Sequence, residues 1–513
     1  METAAMKIRI KFDSPQKNFN PAGRPASGGN KAKPGEAPYW EVNLDSLFML
    51  YKMFPFNIIN PYSFGRQSAA LPDLNNQIYE DAAGIPRLLP ASGHDMYNYV
   101  ARYGAANFQI QTVMKLDGRL DPEKLKKAVR LSVDTEPVFG CRFVVNNTPY
   151  WKRLDDLDKT EFCTFENTGN LDEAIQRYLD SPFSMDYDPM VKLRLISCGP
   201  NDALCFKINH TCCDGGGAKE YFQLLSDIYT RMEEDAAFIP KPRIRNRKDQ
   251  DRLFSALGIK DPESAWDNGM EIPEMLWTFP WLQGQPDIAR VAVCRLPYGY
   301  MDAMSRYGKS RGANINDIVF AAFYRALFRI SQPPCGVPMH IAMTVDLRRY
   351  LPDQKTGAIR NFSGGVDSSL TRVANEPFDR TLVRVVSMLD EIRKGRPGLQ
   401  SAVGLERVER ANFHDTISVY RPSEKSLTYG DEFAPVLSNL GFISKTPLKF
   451  GRNTVTDAYF VPPAISAPGL LLCVSTYNGV MTFTVSYYES QASRESIDML
   501  LNLIRREIVT GCI

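Results

Sequence analysis

One histidine lies where its type and its neighbours could support acid–base chemistry. His210 follows the apolar, β-prone run 203–208 and precedes Asp214, Gly215 and two more glycines. Histidine is the side chain whose usual pKa lies closest to neutral pH, and the chain has only four of them. Glycines beside it would allow a tight turn and the close approach of a substrate. The pattern therefore predicts a base held at the end of a buried strand.

The residues after His210 predict the start of an amphipathic helix. Apolar side chains recur there at helical spacing, at Ala218, Phe222, Leu225, Tyr229 and Met232. A second interpretation of the same motif is that Asp214 caps this helix and His210 is a core residue with satisfied hydrogen bonds. The motif alone leaves both interpretations open.

The His-x-x-x-Asp-Gly motif resembles the signature of the condensation-domain and BAHD-type acyltransferase superfamily. In that superfamily the histidine promotes attack of an alcohol or amine on a thioester, and the aspartate is mainly structural. Segments upstream of the motif are similar to the opening of the same superfamily. They are a strand at 108–116, a helix capped by Asp121 with Pro122 at its first position and ending near Val133, a strand at 138–144, and the pair Tyr150-Trp151.

The resemblance implies an α/β fold of two chloramphenicol acetyltransferase-like subdomains. Each would be a mixed, largely antiparallel sheet with flanking helices, and the two would form a V-shaped pseudo-dimer with a central channel. We expect the following divisions: a flexible N-terminal leader at 1–40, an N-terminal subdomain carrying His210 at 41–240, a crossover linker at 241–287 and a C-terminal subdomain at 288–513.

An arginine from the second half of the chain is expected to support the histidine loop. Residues 339–345 predict a strand that runs into Asp-Leu-Arg-Arg. The resemblance implies that Arg348 pairs with Asp214 and holds the loop in shape, with Arg349 as the alternative partner. A buried arginine–carboxylate pair fixes geometry and is costly to break.

Further site residues are implied by the resemblance. Residues 436–441 resemble the Ser-Asn-Leu-Gly segment of alcohol acetyltransferases, which implies Ser438 and Asn439 as substrate-binding residues together with Gly216. Asn209 stands where condensation domains of peptide synthetases usually carry a second histidine, and we expect it to support the site. The Asp-Phe-Gly-Trp-Gly segment of the plant enzymes is absent.

The mechanism implied is direct transfer, with His210, Asp214 and Gly215 as the catalytic set. The histidine would take the proton of the acceptor as it attacks the thioester, then supply a proton to the leaving thiolate. The amides of residues 215–217 at the helix start are expected to stabilise the oxyanion. Cys212 and Cys213 are alternative nucleophiles, but we expect their side chains to point away from the imidazole or into the core.

The donor is expected to be acyl-coenzyme A or an acyl-phosphopantetheine on a separate acyl carrier protein, because no carrier segment is recognised in the chain. The acceptor would be a small alcohol or amine, and we expect no permanently bound cofactor or metal and a monomeric protein. Two other functions stay open: a free-standing condensation enzyme that forms an amide from carrier-bound substrates, and a non-catalytic relative. Donor tests separate the two enzymes.

Composition excludes other classes of protein. Sixty-one basic against fifty-nine acidic residues give a net charge of +2, which argues against a nucleic-acid binder. The ten cysteines are scattered without the paired spacing of a zinc site. With neither a secretory segment nor an apolar run long enough to span a bilayer, the sequence predicts a cytoplasmic protein with reduced thiols.

Three further segments carry expectations. Residues 47–56 are crowded with aromatics and could touch a membrane surface or the substrate entry, although a segment packed on the domain is favoured. Residues 241–248 are basic and could dock a carrier or a coenzyme phosphate, although a solvated crossover is favoured. We also expect Asn316 to cap the apolar helix 318–330, and Asn478-Gly479 to turn a hairpin.

Overall fold

The computed structural model describes residues 7–11, 39–43, 84–105, 107–248, 250–267, 276–420 and 432–512. The strands are β1 (Lys7–Lys11), β2 (Tyr39–Asn43), β3 (Leu88–Pro90), β4 (Gln109–Leu116), β5 (Cys141–Val144), β6 (Tyr150–Arg153), β7 (Cys163–Asn167), β8 (Val191–Cys198), β9 (Asn201–Asn209), β10 (Trp277–Thr278), β11 (Ala289–Leu296), β12 (Pro338–Asp346), β13 (Ser363–Thr371), β14 (Glu432–Phe442), β15 (Lys449–Phe450), β16 (Asn453–Val461), β17 (Gly469–Tyr477) and β18 (Val480–Tyr488).

The α-helices of the same residues are α1 (Gly93–Ala105), α2 (Pro122–Thr135), α3 (Leu171–Asp180), α4 (Gly215–Glu234), α5 (Asp251–Ala256), α6 (Tyr300–Lys309), α7 (Ile315–Ser331), α8 (Phe378–Lys394), α9 (Leu399–Arg410), α10 (Phe413–Tyr420) and α11 (Arg494–Cys512). Short 3-10 helices lie at Pro137–Gly140, Leu157–Lys159, Pro262–Ala265 and Leu347–Tyr350.

Two large sheets organise the molecule. One sheet has the strand order β15-β16-β4-β9-β8-β7, and the other has the order β11-β18-β17-β14-β12-β13, with β10 paired to β14. Most neighbours are antiparallel; β7 with β8, β12 with β14, and β14 with β17 are parallel. The predicted fold class, an α/β protein with two mixed and largely antiparallel sheets and flanking helices, is confirmed.

The first sheet positions the end of β9. This strand lies between β4 and β8, antiparallel to both, and its apolar side chains are buried. Phe206 and Ile208 belong to the same core as the buried face of α4, where the Phe206 and Phe222 rings lie 4.8 Å apart. Because β9 is an inner strand with a helix packed on it, the loop that follows has a rigid base.

The second sheet positions the segment between β12 and β13. β12 and β13 form an antiparallel pair at the edge of this sheet, and the 3-10 helix Leu347–Tyr350 begins directly after β12. The side chain of Asp346 caps this short helix by accepting from the amide of Arg348 at 3.0 Å. The chain then returns to β13 through residues 351–362, which therefore lie at one end of the pair.

The C-terminal half of the chain contributes two strands to the first sheet. β15 and β16, from the C-terminal half, complete the first sheet, where β16 pairs antiparallel with β4. The division into subdomains at 41–240, 241–287 and 288–513 stays a prediction, and the topology adds that residues 449–461 belong to the sheet that carries His210. Residues 47–56 lie outside the described residues, and of the predicted leader only β1 and the start of β2 are described.

Several local expectations can be compared with the structure. The hairpin is confirmed: β17 and β18 are joined by Asn478 and Gly479, whose φ angles of 46° and 76° suit a tight two-residue turn. The helix cap predicted at Asn316 is wrong. Asn314 caps α7 through a reciprocal capping box with Asp317, so the helix starts earlier than its apolar stripe.

The strand predicted from residue 138 starts later than expected. Residues 137–140 form a 3-10 helix, so the strand predicted from 138 begins only at Cys141, because Pro137 starts a turn. Among the described helices, none combines the length and the apolar character that crossing a bilayer requires.

Candidate active site

His210 lies directly after β9 and is partly buried. Its backbone N–H donates to the carbonyl of Phe108 at 3.0 Å, which extends the pairing of β4 and β9 by one step. The imidazole stacks on the Phe108 ring, with centroids 4.7 Å apart and planes 27° from parallel. The strand end and this ring contact together restrict the orientation of the imidazole.

Asn361 fixes the protonation state of the two ring nitrogens. Its amide Nδ2 donates to the carbonyls of His210 and Thr211, both at 2.9 Å, so the amide oxygen is the atom that faces the imidazole. This Oδ1 lies 3.1 Å from Nδ1 of His210. Since an amide oxygen only accepts, Nδ1 of a neutral imidazole must carry the proton, and Nε2 keeps its lone pair.

The surroundings of His210 favour the neutral ring. Burial lowers the pKa of His210 below its ordinary value of 6.5, and this effect outweighs the opposing influences of its hydrogen bonds and of the Asp214 charge. A neutral imidazole with a free Nε2 at physiological pH is the form that a general base requires.

The Asp214 carboxylate forms its hydrogen bonds with backbone amides and with Arg348, not with His210. One carboxylate oxygen accepts from the Gly217 amide at 2.8 Å and so caps α4, and the other accepts from the Phe362 amide at 2.7 Å. Both oxygens also accept from Arg348, each at 3.0 Å, in a bidentate pair. Burial alone would raise the pKa of Asp214, but Arg348 and the two amides hold it at about 2.

Arg348 is the partner of Asp214, and the alternative, Arg349, lies over the ring of Tyr350 instead. The buried Arg348 guanidinium also donates to the Arg360 carbonyl at 2.9 Å and to Asp346 at 3.2 Å. Glu220 approaches the guanidinium at 3.5 Å, and burial raises the pKa of this carboxyl to about 7. Arg348 therefore joins α4 of the first sheet to the loop at the end of the second.

The glycines at the start of α4 allow close packing between the two halves. A Cβ at Gly215 would lie 2.7 Å from the Leu440 side chain, and one at Gly216 would lie 2.7 Å from Arg348 Nη1. A Cβ at Gly217 would lie 3.0 Å from the Arg360 carbonyl. These glycines were expected to admit a substrate, and the structure shows that protein atoms from the second half of the chain approach them.

The helix start supplies a small number of amide donors. The first turn of a helix leaves its amides without intrahelical partners. Asp214 engages the amide of Gly217, so the expectation that all three glycines donate to an oxyanion does not hold for this one. The amides of Gly215 and Gly216 are the remaining candidates.

The other residues of the motif are buried in the loop. Asn209 donates through Nδ2 to the Met185 carbonyl at 3.2 Å and accepts from the Thr211 amide at 3.0 Å, so it shapes the turn that follows β9. Cys212 and Cys213 are completely buried, and burial raises the pKa of the Cys213 thiol well above its ordinary value. A buried, protonated thiol is a poor nucleophile.

Ser438 and Asn439 lie on β14 beside a bulge that touches α4. Their side chains have protein partners: Ser438 accepts from Thr344 at 3.1 Å, and Asn439 donates to Asn316 at 3.0 Å. The next residue, Leu440, packs against Gly215, and its carbonyl accepts from Nζ of the half-buried Lys219. The structure thus brings this segment to the site through Leu440, while the roles of Ser438 and Asn439 in binding a substrate stay a prediction.

Arg247 and Asp95 form a second buried ion pair next to the loop. Arg247 Nη2 donates to Asp95 at 2.9 Å, and both side chains are buried. The favoured interpretation of residues 241–248, a solvated crossover, is therefore wrong at this position, although Lys241, Arg243 and Arg245 are exposed. Arg247 donates to three buried acceptors, the Asp95 carboxylate and the carbonyls of Cys212 and Ile359.

Sequence reasoning missed Asn361, Phe108, Asp95 and Arg247. The contact of Asn361 with His210 joins residues 151 positions apart, and no spacing rule predicts such a contact. A usable signal for Arg247 was its position at the end of an otherwise polar run just before the apolar side chains of α5. No group of three His, Cys, Asp or Glu side chains in the described ranges is arranged to bind a metal ion.

Part of the chain matches a known family model. Residues 103–250, which include β4, β9 and the His210 loop, match the model of the condensation domain family. Surfactin synthase subunit 1 of Bacillus subtilis (strain 168) is 23% identical over 220 residues. The match covers 41% of this chain and 6% of that protein, so the chain spans a small part of the length of this relative.

Solved structures extend the likeness to most of the chain. The trichothecene 15-O-acetyltransferase TRI3 of Fusarium sporotrichioides aligns with a TM-score of 0.61 at 14% identity, covering 87% of this chain and 100% of that one. The starter condensation domain of rhizomide synthetase, solved with C8-CoA, aligns with a TM-score of 0.58 at 12% identity, covering 83% and 95%. Identities this low show a shared fold, and the predicted pseudo-dimer fold is confirmed.

Proposed function

We propose that this chain, which has the fold of condensation domains and of a fungal acetyltransferase and matches the condensation family over residues 103–250, is an acyltransferase. It moves an acyl group from a thioester donor to the hydroxyl or amine of a small acceptor. His210 is its general base, and the acyl group passes directly to the acceptor without an acyl-enzyme.

The observation that carries the proposal is the contact between His210 and Asn361. It leaves Nε2 of a neutral imidazole as the basic atom, on a residue that the strand end and Phe108 hold in place. A base oriented by a neighbouring acceptor through its other ring nitrogen is the arrangement that proton abstraction from a hydroxyl or amine requires. The burial of Cys212 and Cys213 favours His210 over a thiolate mechanism.

The proton balance of the reaction needs one base. Nε2 of His210 takes the acceptor proton while the acceptor oxygen or nitrogen bonds to the thioester carbonyl carbon. The imidazolium then returns that proton to the sulfur as the carbon–sulfur bond breaks, and a free thiol leaves. The amides of Gly215 and Gly216 are proposed to stabilise the oxyanion between these two steps, at the positive end of the α4 dipole.

Coenzyme A is the proposed carrier of the acyl group. Two relatives of the same fold support this choice: one is an acetyltransferase, and the other is a condensation domain that was solved with an acyl-coenzyme A. A donor on a separate carrier protein is the second candidate, favoured by the match to a subunit of surfactin synthase. A monomeric, cytoplasmic enzyme without a permanently bound cofactor is part of the proposal.

Release of free thiol from a panel of acyl-coenzyme A donors with mixed alcohols and amines tests the function. We expect thiol release that depends on the acceptor with the wild-type protein and its loss in His210→Ala. Thiol release only from an acyl-loaded carrier protein would show that the donor is the carrier protein and not coenzyme A. A folded wild-type protein that releases no thiol from either kind of donor would contradict the proposal.

A further inference from the structure

Arg247 contacts three elements that come from distant parts of the chain. Its Nη2 donates to Asp95 on α1 at 2.9 Å and to the carbonyl of Cys212 at 3.1 Å. Its Nη1 donates to the carbonyl of Ile359 at 2.5 Å. The guanidinium also lies 5.6 Å from the centre of the Trp151 ring, and the whole side chain is buried.

Each of the two carbonyl acceptors lies two residues from a side chain of the site. Cys212 follows His210 by two positions in the loop after β9. Ile359 precedes Asn361 by two positions in the loop before β13, which belongs to the second sheet. Arg247 therefore bridges the loop that carries the imidazole and the loop that carries its hydrogen-bond partner.

The carboxylate that holds Arg247 is itself fixed. Asp95 accepts from the amide of Ser92 at 3.0 Å and from the indole N–H of Trp151 at 3.1 Å, and it is completely buried. These two donors hold one oxygen of the carboxylate inside the first half of the molecule, and its other oxygen accepts from Arg247. The position of the guanidinium follows from that anchor, because a planar fork directs its N–H groups at fixed angles.

Ile359, in the second half of the molecule, also contacts a second side chain of the first half. The amide of Ile359 lies 3.4 Å from the Glu136 carboxyl, which is buried just after α2. This contact is long, whereas the bond from Arg247 to the carbonyl of the same residue is short. Arg247 is therefore the stronger of the two constraints on Ile359.

From these contacts we propose that Arg247 is a positioning residue, which holds the loops of His210 and Asn361 at the spacing that keeps Nδ1 of the imidazole on the Asn361 oxygen. The inference rests on the proposed role of His210 as the base and names a residue of the crossover through which that role is maintained. Arg247 touches no reacting atom in this account. Its effect passes through two backbone carbonyls.

A residue that only stabilises the fold would behave differently. Its loss would reduce the folded fraction and leave the remaining molecules with an unchanged site. A positioning residue changes the site in molecules that are fully folded. The ring nitrogens of His210 report this difference directly, since their protonation depends on the Asn361 contact.

Nitrogen-15 spectra of histidine-labelled protein measure which ring nitrogen carries the proton. The chain has four histidines, and His210→Gln identifies the signal that belongs to the site. We expect a single Nδ1-protonated form in the wild-type protein and a mixture of both forms in Arg247→Met. Arg245→Met, at an exposed position of the same crossover, should match the wild type.

Two more variants separate charge from geometry. Arg247→Lys keeps the positive charge beside Asp95, but a single ammonium cannot reproduce the fork that reaches both carbonyls, so we expect the mixture again. Should Arg247→Met not fold, Asp95→Asn combined with Arg247→Met removes both charges and avoids an unpaired buried carboxylate. A folded Arg247→Met or double variant with the wild-type His210 spectrum would overturn the proposal, as would a wild-type spectrum in Arg247→Lys.

Kinetics give a second readout once a substrate is known. We expect Arg247→Met to lower kcat between about tenfold and about a hundredfold with little change in KM, as small misplacements of a catalytic group do. The spectra need no turnover, so an unchanged tautomer and a missing acyltransferase activity are distinguishable failures. An equal loss in Arg245→Met would also contradict the specific role of Arg247.

Discussion

His210 and Asn361 are the pair of side chains on which the proposed chemistry depends. The amide of Asn361 makes three contacts with the histidine loop, two through Nδ2 and one through Oδ1, and it is completely buried. A 180° rotation of this buried side-chain amide would exchange its oxygen and nitrogen and break all three hydrogen bonds. The tautomer of the imidazole is therefore set by the fold before any substrate binds.

Asn361→Ala removes the acceptor for Nδ1 and the two bonds to the loop carbonyls. We expect kcat to fall by about tenfold to about a hundredfold, because the ring can then adopt the wrong tautomer or turn away from the acceptor. Steady-state kinetics with the best donor and acceptor measure the loss. Wild-type kcat in a folded Asn361→Ala protein would contradict this account of the imidazole.

The pH dependence of kcat/KM follows from the burial of His210. Its pKa is lowered from 6.5, so the basic form predominates at neutral pH and is lost as the pH falls through the lowered value. We expect kcat/KM to be flat around pH 7 and to decline only below the ordinary histidine range. A profile measured with an acceptor alcohol that does not titrate in this range checks the sign. An ascending limb centred above the ordinary value would be inconsistent with a buried neutral base.

The start of α4 is the element that connects the motif to the rest of the molecule. Asp214 caps the helix, and the glycines that follow it give Leu440, Arg348 and the Arg360 carbonyl room to approach. None of these three glycines has the positive φ that would demand glycine for backbone reasons. Their small size, rather than their flexibility, is what the structure uses.

Gly216→Ala tests this packing. The added methyl would lie 2.7 Å from Arg348 Nη1 and 3.3 Å from Asp214 Oδ1, so the ion pair must shift. We expect a loss of unfolding free energy of about 1 to 3 kcal/mol, as overpacked sites show, together with reduced turnover. Chemical denaturation measures the first effect and thiol release the second.

Gly169→Ala is the matched control for that variant. A Cβ at Gly169 would meet no atom within 4 Å, and its φ is not positive. We expect stability and turnover close to those of the wild type. Equal losses in the two alanine variants would show that the contact with Arg348 is not the cause.

Across the whole molecule, two buried arginine–aspartate pairs hold the halves together. Arg348 reaches from the second sheet to Asp214 on the first, and Arg247 reaches from the crossover to Asp95 and to both loops. Removing one partner of such a pair leaves an uncompensated buried charge. The stability of the assembly should therefore depend on the ionisation of Asp214, whose pKa is lowered in the folded protein.

Asp214→Asn tests that dependence with pH. The pKa of Asp214 is about 2 in the folded protein and below its ordinary 3.8, so its contribution is complete above the ordinary value and is lost as the pH falls towards the folded value. We expect Asp214→Asn to cost about 3 to 5 kcal/mol at neutral pH, because it removes the buried carboxylate that pairs with Arg348 through both of its oxygens. The difference from the wild type should shrink in acid.

Denaturant unfolding of both proteins at a series of pH values measures this difference. Asp498→Asn serves as a control, because Asp498 pairs with Arg494 on the surface of α11 and should cost less than about 1 kcal/mol at any pH. A constant penalty for Asp214→Asn down to the lowest pH would show that the charge of the carboxylate is not what stabilises the site.

Sequence patterns predicted much of this molecule, but of the contacts between its halves only the pair of Arg348 with Asp214 was expected, from the family resemblance. The strand before His210, the capped helix after Asp121 and the hairpin at Asn478 follow from local periodicity and turn chemistry. Local patterns do not predict that Asn361 contacts His210, that Arg247 is buried, or that β16 belongs to the first sheet. Those features depend on which distant segments the fold brings together, and they make up most of the site.

The rate of acyl transfer by His210→Ala, compared with that of His414→Ala, tests the central claim most directly. His414 lies on α10, where its Nδ1 is 2.9 Å from the exposed side chain of Asn147, so its removal controls for the loss of an imidazole as such. We predict that His210→Ala loses at least about a hundredfold in the rate of product and thiol formation, as loss of a general base does, while His414→Ala keeps wild-type turnover. Wild-type turnover in folded His210→Ala would contradict the account.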